Sequence, residues 1–155
     1  MPFKVHVEDE ITVNNTYIIP AKLNQHYFED VLVSLLETAY NEALETATTH
    51  YENFPVVSLF LPKHLRKHVA VVYRFAREAD DFADEGTCSP DERITKLNEY
   101  ENKLSDALNG SPSDGFWTAL KDTIERFNLS AQNFYDLLSA FKQDVEKKTY
   151  TILTN

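Results

Sequence analysis

Tyr73-Arg74-Phe75-Ala76-Arg77-Glu78-Ala79-Asp80-Asp81-Phe82-Ala83-Asp84-Glu85-Gly86 reads as a helix with two unlike faces. At about 100° per residue from Tyr73, Arg77 falls near +40°, Asp80 near −20° and Asp84 near +20°, so these four side chains share one narrow face. Val72, Phe75, Ala76, Ala79, Phe82 and Ala83 fall together on a bordering arc of about 120°. Such a helix buries its apolar side in a core and ranges its acids beside it. It predicts an all-α protein, a helical bundle.

Working outward, Pro62 suits the first turn of this helix and Gly86 its C-terminal cap. Ser89-Pro90-Asp91-Glu92 is a capping box with proline at the first helical position, and it predicts a helix over about 90–109, stopped at Gly110. After the loop 111–115 a further helix is expected at about 116–127, ended by Asn128. Ser130 then caps a last helix with Phe134, Leu137, Leu138, Phe141 and Val145 on one stripe. Upstream, Phe28, Val31, Leu32, Leu35, Leu36, Ala39, Ala43 and Ala47 recur at helical spacing. They predict a helix from about 24 to 53, ended by Pro55. Residues 1–22 differ. Phe3, Val5, Val7, Ile11 and Val13 alternate with polar residues, Asn14-Asn15 signals a turn and Pro20 closes the segment, which reads as a short strand or an unpaired arm.

The chain has 155 residues, 43% of them hydrophobic, enough for one domain with a sizeable core. Its 3 glycines and 6 prolines are too few for a collagen-like or Gly-rich β architecture, and Gly86, Gly110 and Gly115 are too scattered to cradle phosphate. A single cysteine, Cys88, excludes an internal disulfide and a thiolate zinc cage, and a reducing cytoplasmic setting is expected. The net charge of −10 argues against nucleic acid as a partner and against adhesion to acidic membranes through bulk charge. No signal-peptide core or spanning segment is visible.

Five acids lie between Glu78 and Glu85, with Arg77 alone to offset them locally. Asp80 and Asp84 stand about 6 Å apart along the axis and repel each other by a few tenths of a kcal/mol. Mg²⁺, a hard cation that binds through one or two carboxylates plus substrate phosphates, would relieve this. Acid runs on helices are also commonly solvated faces, and that reading stays open beside the metal reading. Other candidates have bland readings as well. His50 and Phe54, with Asn53 between them, would share a face near the end of the first helix, where a histidine also favours the helix dipole. His64 and His68 have metal-ligand spacing but lack the glutamate of a zinc hydrolase, so they read as solvated surface. Asp144 reads as a surface or structural acid, Cys88 has no evident activating partner, and Phe116 and Trp117 read as core.

His50-Tyr51-Glu52-Asn53-Phe54-Pro55-Val56, Leu61-Pro62, Tyr73 to Arg77 and Ala79 to Gly86 together resemble the squalene/phytoene synthase family, without a gap in spacing. The form of these motifs, with Phe141-Lys142-Gln143-Asp144-Val145 and Tyr150, is most similar to the bacterial hopanoid-pathway squalene synthase branch. The resemblance covers about residues 25–155. It implies an isoprenoid (prenyl) synthase fold, a helical bundle around a deep pocket, and head-to-head joining of two prenyl diphosphates with Mg²⁺. By this resemblance Asp80, Asp81 and Asp84 hold Mg²⁺ on the diphosphate, Tyr73 and Arg77 contact or orient it, and His50, Asn53 and Phe54 line the same pocket. The product would be squalene or a precursor (hydroxysqualene or presqualene diphosphate) from farnesyl diphosphate, with a phytoene-type reaction or a non-catalytic interaction module as alternatives.

Two departures matter. Family members often carry Ser or basic residues where this chain has Tyr51-Glu52-Asn53, and no second Asp-x-x-x-Asp follows residue 84. The expected organisation is therefore an N-terminal arm, residues 1–22, and the N-terminal part of a synthase domain, residues 23–155. Such a chain would carry exposed apolar surfaces on its first, second and last helices. Its expected partners are a C-terminal half or a second copy, and its expected location is cytoplasmic or peripheral at the inner membrane.

Overall fold

A computed structural model describes residues 10–13, 17–84 and 86–153. The chain divides into two compact units, residues 1–37 and 38–155. In the first, β1 (Glu10–Val13) pairs antiparallel with β2 (Tyr17–Pro20), Ile11 opposite Ile19. The strand reading of this segment holds there; Phe3, Val5, Val7 and Asn14-Asn15 lie outside the described residues. Helix α1 (Ala21–His50) begins in this unit, where Tyr27, Phe28, Leu32, Val33 and Leu35 are exposed.

The second unit is all helix among its described residues: the rest of α1, then α2 (Phe54–Leu59), α3 (Lys63–Asp84), α4 (Pro90–Leu108), α5 (Gly115–Arg126) and α6 (Ala131–Leu153). The starts of α4 and α5 follow their caps. Ser89 Oγ accepts from Glu92 N while Glu92 Oε2 accepts from Ser89 N, the reciprocal pair of a capping box. Asp114 Oδ1 accepts from Trp117 N at 3.2 Å. Asn128 holds φ 49°, the left-handed turn that separates α5 from α6.

Helix α3 is central and packs on α4, α5 and α6. Its inward residues Ala70, Val71, Phe75 and Ala79 are fully buried. Phe75 stacks on Tyr100 at 5.1 Å and meets Phe134 at 5.3 Å and Trp117 at 6.1 Å edge-on. Phe116 and Trp117 are core, as their pairing suggests. The α1 stripe behaves differently along its length. Ala39, Tyr40, Ala43 and Ala47 are buried in the second unit. There α1 approaches α5 so closely that a Cβ on Gly115 would stand 3.2 Å from Ala39 Cβ.

Three expectations are corrected. His68 is not solvated surface: it is 7% exposed, with Nδ1 3.0 Å from Thr123 Oγ1 and its ring edge-on to Tyr40 and Phe127. His64 is exposed as expected. The stripe of α6 is mostly inward, with Phe134, Leu138 and Val145 buried, and so is that of α3, the second expected helix; the exposed large apolar side chains sit mainly on α1 and on the short α2, which the sequence reading did not anticipate. Cys88 has a neighbour after all, Lys96 Nζ at 3.3 Å from Sγ.

Candidate functional site

Tyr73, Arg77, Asp80 and Asp84 do lie on one face of α3. Arg77 ties two of the acids together, Asp80 and its neighbour Asp81. Its Nη1 donates to Asp80 Oδ2 at 2.8 Å and its Nη2 to Asp81 Oδ1 at 3.4 Å. Asp84 is held from another element: Lys148 Nζ on α6 donates to its Oδ1 at 2.6 Å. That hydrogen bond, with the ammonium charge behind it, holds the Asp84 carboxyl below its ordinary range. The side chains of Asp81 and Asp84 remain 61% and 57% exposed, so a hydrated cation can reach them.

One edge of this face is aromatic. The Tyr73 ring packs against Tyr51 at 5.3 Å and Phe54 at 5.6 Å, and the Arg77 guanidinium lies 5.9 Å from the Tyr51 ring centre. Burial, and after it the negative charge of Glu78, push the Tyr51 phenol above its ordinary value and keep it a neutral donor. The other edge is apolar. A cleft of about 380 Å³ runs between α3 and α6, lined by Val72, Phe75 and Ala76 on one side and Leu129, Phe134 and Leu137 on the other. Ala76 precedes Asp80 by one turn, so the cleft opens beside the acids.

Phe54 and His50 do not share a helical face. Had α1 continued, the Pro55 ring would have met the carbonyl of Tyr51, and the missing proline N–H would have left that carbonyl unbonded. The helix stops at His50, residues 51–53 turn, and α2 restarts at Phe54 with Pro55 in its first turn. Phe54 is fully buried beside Ala47 and Ala70, whereas His50 and Asn53 are exposed. Asn53 precedes α2 without a side-chain capping bond. Asp144 is exposed on α6.

Two residues of the site were not singled out from sequence. Tyr51 belongs to the aromatic wall, and its nearness to Phe54 in the chain was the available signal. Lys148 lies 64 residues beyond Asp84, and no local pattern marks it.

Asp80, Asp81 and Asp84 offer hard oxygen donors along one exposed edge. Among the described residues no group of three or more His, Cys, Asp or Glu side chains could hold a metal ion as a cage. Three carboxylates along one exposed edge suit a hard cation that keeps its waters and leans on one or two carboxylates and a phosphate, as Mg²⁺ does.

Residues 47–154 match the family model described as squalene/phytoene synthase. Hydroxysqualene synthase of Sinorhizobium fredii is 34% identical over 99 residues, covering 64% of this chain and 33% of that protein. Chloroplastic phytoene synthase of Narcissus pseudonarcissus is 30% identical over 120 residues, covering 76% of this chain and 28% of that protein. In three dimensions the chain is similar to the crystal structure of squalene synthase HpnC from Alicyclobacillus acidocaldarius. The TM-score is 0.63 at 38% identity, over 70% of this chain and 40% of that one. The chain spans about a third of the length of the curated relatives it matches.

Proposed function

This chain belongs to the squalene/phytoene synthase family, and from that premise we propose that it binds a prenyl diphosphate with Mg²⁺ and serves head-to-head prenyl transfer. The observation that carries the reading is the α3 face itself. About three turns of helix bring together a guanidinium, three carboxylates, an aromatic wall and an apolar cleft. Each suits one part of an allylic diphosphate.

The cleft beside Val72 and Ala76 would take the prenyl chain and exclude water from it. Arg77, already aimed along the acid edge, would turn toward a diphosphate oxygen, and Tyr73 would donate to another. Asp80, Asp81 and Asp84 would hold Mg²⁺. Its contribution would be to offset the charge that builds on the departing diphosphate. When the allylic C–O bond breaks, the electron pair leaves with the diphosphate and the carbon chain is left cationic. The face of Tyr73 would stabilise that cation by about 0.5–2 kcal/mol.

The product supported best is squalene or a squalene precursor from farnesyl diphosphate, in a hopanoid-type pathway. The support is the higher identity to the hydroxysqualene synthase and to HpnC than to the plant phytoene synthase. A phytoene-type reaction is the runner-up. A non-catalytic module is favoured by one observation: Arg77 and Lys148 already neutralise much of the acid edge without a metal.

The test is calorimetry of the chain with farnesyl diphosphate, with and without Mg²⁺. Binding that requires Mg²⁺ and falls at least tenfold in Asp80→Ala/Asp84→Ala supports the diphosphate site. Binding that is indifferent to Mg²⁺ and to those two carboxylates sinks it and leaves the module reading.

A further inference from the structure

Helix α1 carries an apolar stripe of which only one part is buried. With Phe28 at zero and about 100° per residue, Leu35 falls near −20°, Ala39 near +20°, Leu32 near +40° and Ala43 near +60°. Ala39 and Ala43 are buried, whereas Phe28, Leu32 and Leu35 are each more than half exposed. Their i, i+4, i+7 spacing is that of a helix seam that packs against another surface. The charge along the stripe has one sign. From Leu23 to Pro62 there is no Lys or Arg. Glu42 is exposed at about −40°, within the stripe, and Glu29 and Glu45 are exposed beside it at about +100° and −100°.

A second exposed apolar surface carries the opposite charge. On α2, Phe54 is fully buried, but Val56 and Leu59 are more than half exposed and Phe60, just after the helix, is 85% exposed. Ser58 does not relieve this, because its hydroxyl turns back to the Pro55 carbonyl at 2.9 Å. From Asn53 to Arg77 there is no Asp or Glu, in a chain of net charge −10, and Lys63, Arg66 and Lys67 follow the apolar cluster in the first turns of α3. Arg66 Nε donates to the Leu61 carbonyl at 3.2 Å, and Lys67 Nζ lies 4.9 Å over the Tyr40 ring.

We propose that a second copy of the chain covers both surfaces, the α1 stripe of each copy seated on the α2–α3 corner of the other. Two copies can pair these surfaces in three ways, and charge chooses among them. Stripe on stripe sets Glu29 and Glu42 against themselves, and corner on corner does the same to Lys63 and Lys67; like charges across a contact cost affinity. Stripe on corner joins opposite charges around an apolar centre, the anatomy of a protein interface. Area points to a reciprocal pair. Phe28, Leu32 and Leu35 with Val56, Leu59 and Phe60 leave roughly 600 Å² of apolar side chain exposed, too little for one stable contact. A closed pair makes the contact twice. That gives about 1,200 Å² before a polar rim is added, which reaches the size of a stable interface. The inference goes beyond the proposed reaction and does not rest on it.

The experiment is sedimentation equilibrium of the 155-residue chain in the absence of Mg²⁺ and of any prenyl diphosphate. A dimer with a dissociation constant of about 1–100 μM is expected, weakening as salt rises. Leu32→Ser/Leu35→Ser should weaken it about tenfold or more. Glu29→Lys/Glu42→Lys and Lys63→Glu/Lys67→Glu should each weaken it by about tenfold or more, because each sets like charges across both contacts. Mixed in equal amounts, these two charge variants should recover a dimer within about threefold of the wild-type affinity, since both contacts of the mixed pair again join opposite charges. All changed positions are exposed or partly exposed, and unchanged circular dichroism would verify each fold. A wild-type chain that stays monomeric at about 500 μM overturns the proposal and leaves both surfaces to a different partner. Self-association that survives either charge variant also overturns it, in favour of one surface pairing with itself, as does a mixture of the two that stays monomeric.

Discussion

If Asp84 is a ligand of the proposed metal, Lys148 competes for it, and replacing Lys148 with methionine should raise the affinity of the chain for Mg²⁺ alone. The ammonium sits 2.6 Å from Asp84 Oδ1, and both side chains are more than half exposed. An exposed pair of this kind stabilises by about 0.2–1 kcal/mol, and a metal must first break it. A cation on the same carboxylate would stand about 5 Å from the ammonium if Lys148 stayed in place. In water that repulsion is about 1.7 kcal/mol, and at physiological salt about half of it survives. These are alternatives, because a lysine that has moved away no longer repels the metal, so the cost is the smaller of the two, about 0.2–1 kcal/mol, or roughly 1.4-fold to fivefold in affinity. Arg77 remains in the variant, so its influence cancels in the comparison. Titration with Mn²⁺ followed by electron paramagnetic resonance, with Mg²⁺ as competitor, reads the change directly. Asp84→Asn in the same assay should lower affinity. An affinity for Mg²⁺ that is unchanged or reduced in Lys148→Met would refute the placement of the metal at Asp84.

Two further outcomes test the frame that carries the site. Phe75→Ala removes a fully buried ring from contact with Tyr100, Trp117 and Phe134 and should cost about 3–5 kcal/mol in urea unfolding; a loss under about 1 kcal/mol would show that α3 is not the central helix. At alkaline pH the phenols of Tyr40 and Tyr100 should titrate above the other tyrosines, because burial, reinforced by Asp122 and Glu78 respectively, raises both; a raised value stabilises the fold fully below about pH 10, and this contribution is lost as the pH climbs toward the folded-state values. Absorbance at alkaline pH should therefore show late phenol ionisation that coincides with unfolding, and complete phenol ionisation ahead of unfolding would contradict it.

What was legible in the sequence followed from local periodicity. The α3 wheel placed its core side and its acid face, because one face of α3 is buried from His68 to Ala83 while its acids stay at the surface. The same wheel, run back to His68, gives about −140°, inside the apolar arc, so its burial was legible too. The basic residues around it obscured that reading. At the end of α1 the error was of another kind. Proline stops a helix not where it stands but about one turn earlier, at the carbonyl it would strike. A stop placed at Pro55 therefore merged His50 and Phe54 on one face, when the break at 51–53 sends one outward and the other inward. The partner of Asp84 was beyond any local reading. Its charge balance depends on α6 passing over the end of α3, and that is a consequence of how Phe134, Leu138 and Val145 bury against the bundle. An acid edge read from sequence alone looks unbalanced. In the folded chain Arg77 and Lys148 stand in for the cation, so any metal and diphosphate must together displace two cations rather than fill a vacant charge. Diphosphate is suited to that displacement, because it gives the freed Arg77 and Lys148 new anionic partners at the moment their carboxylates are taken.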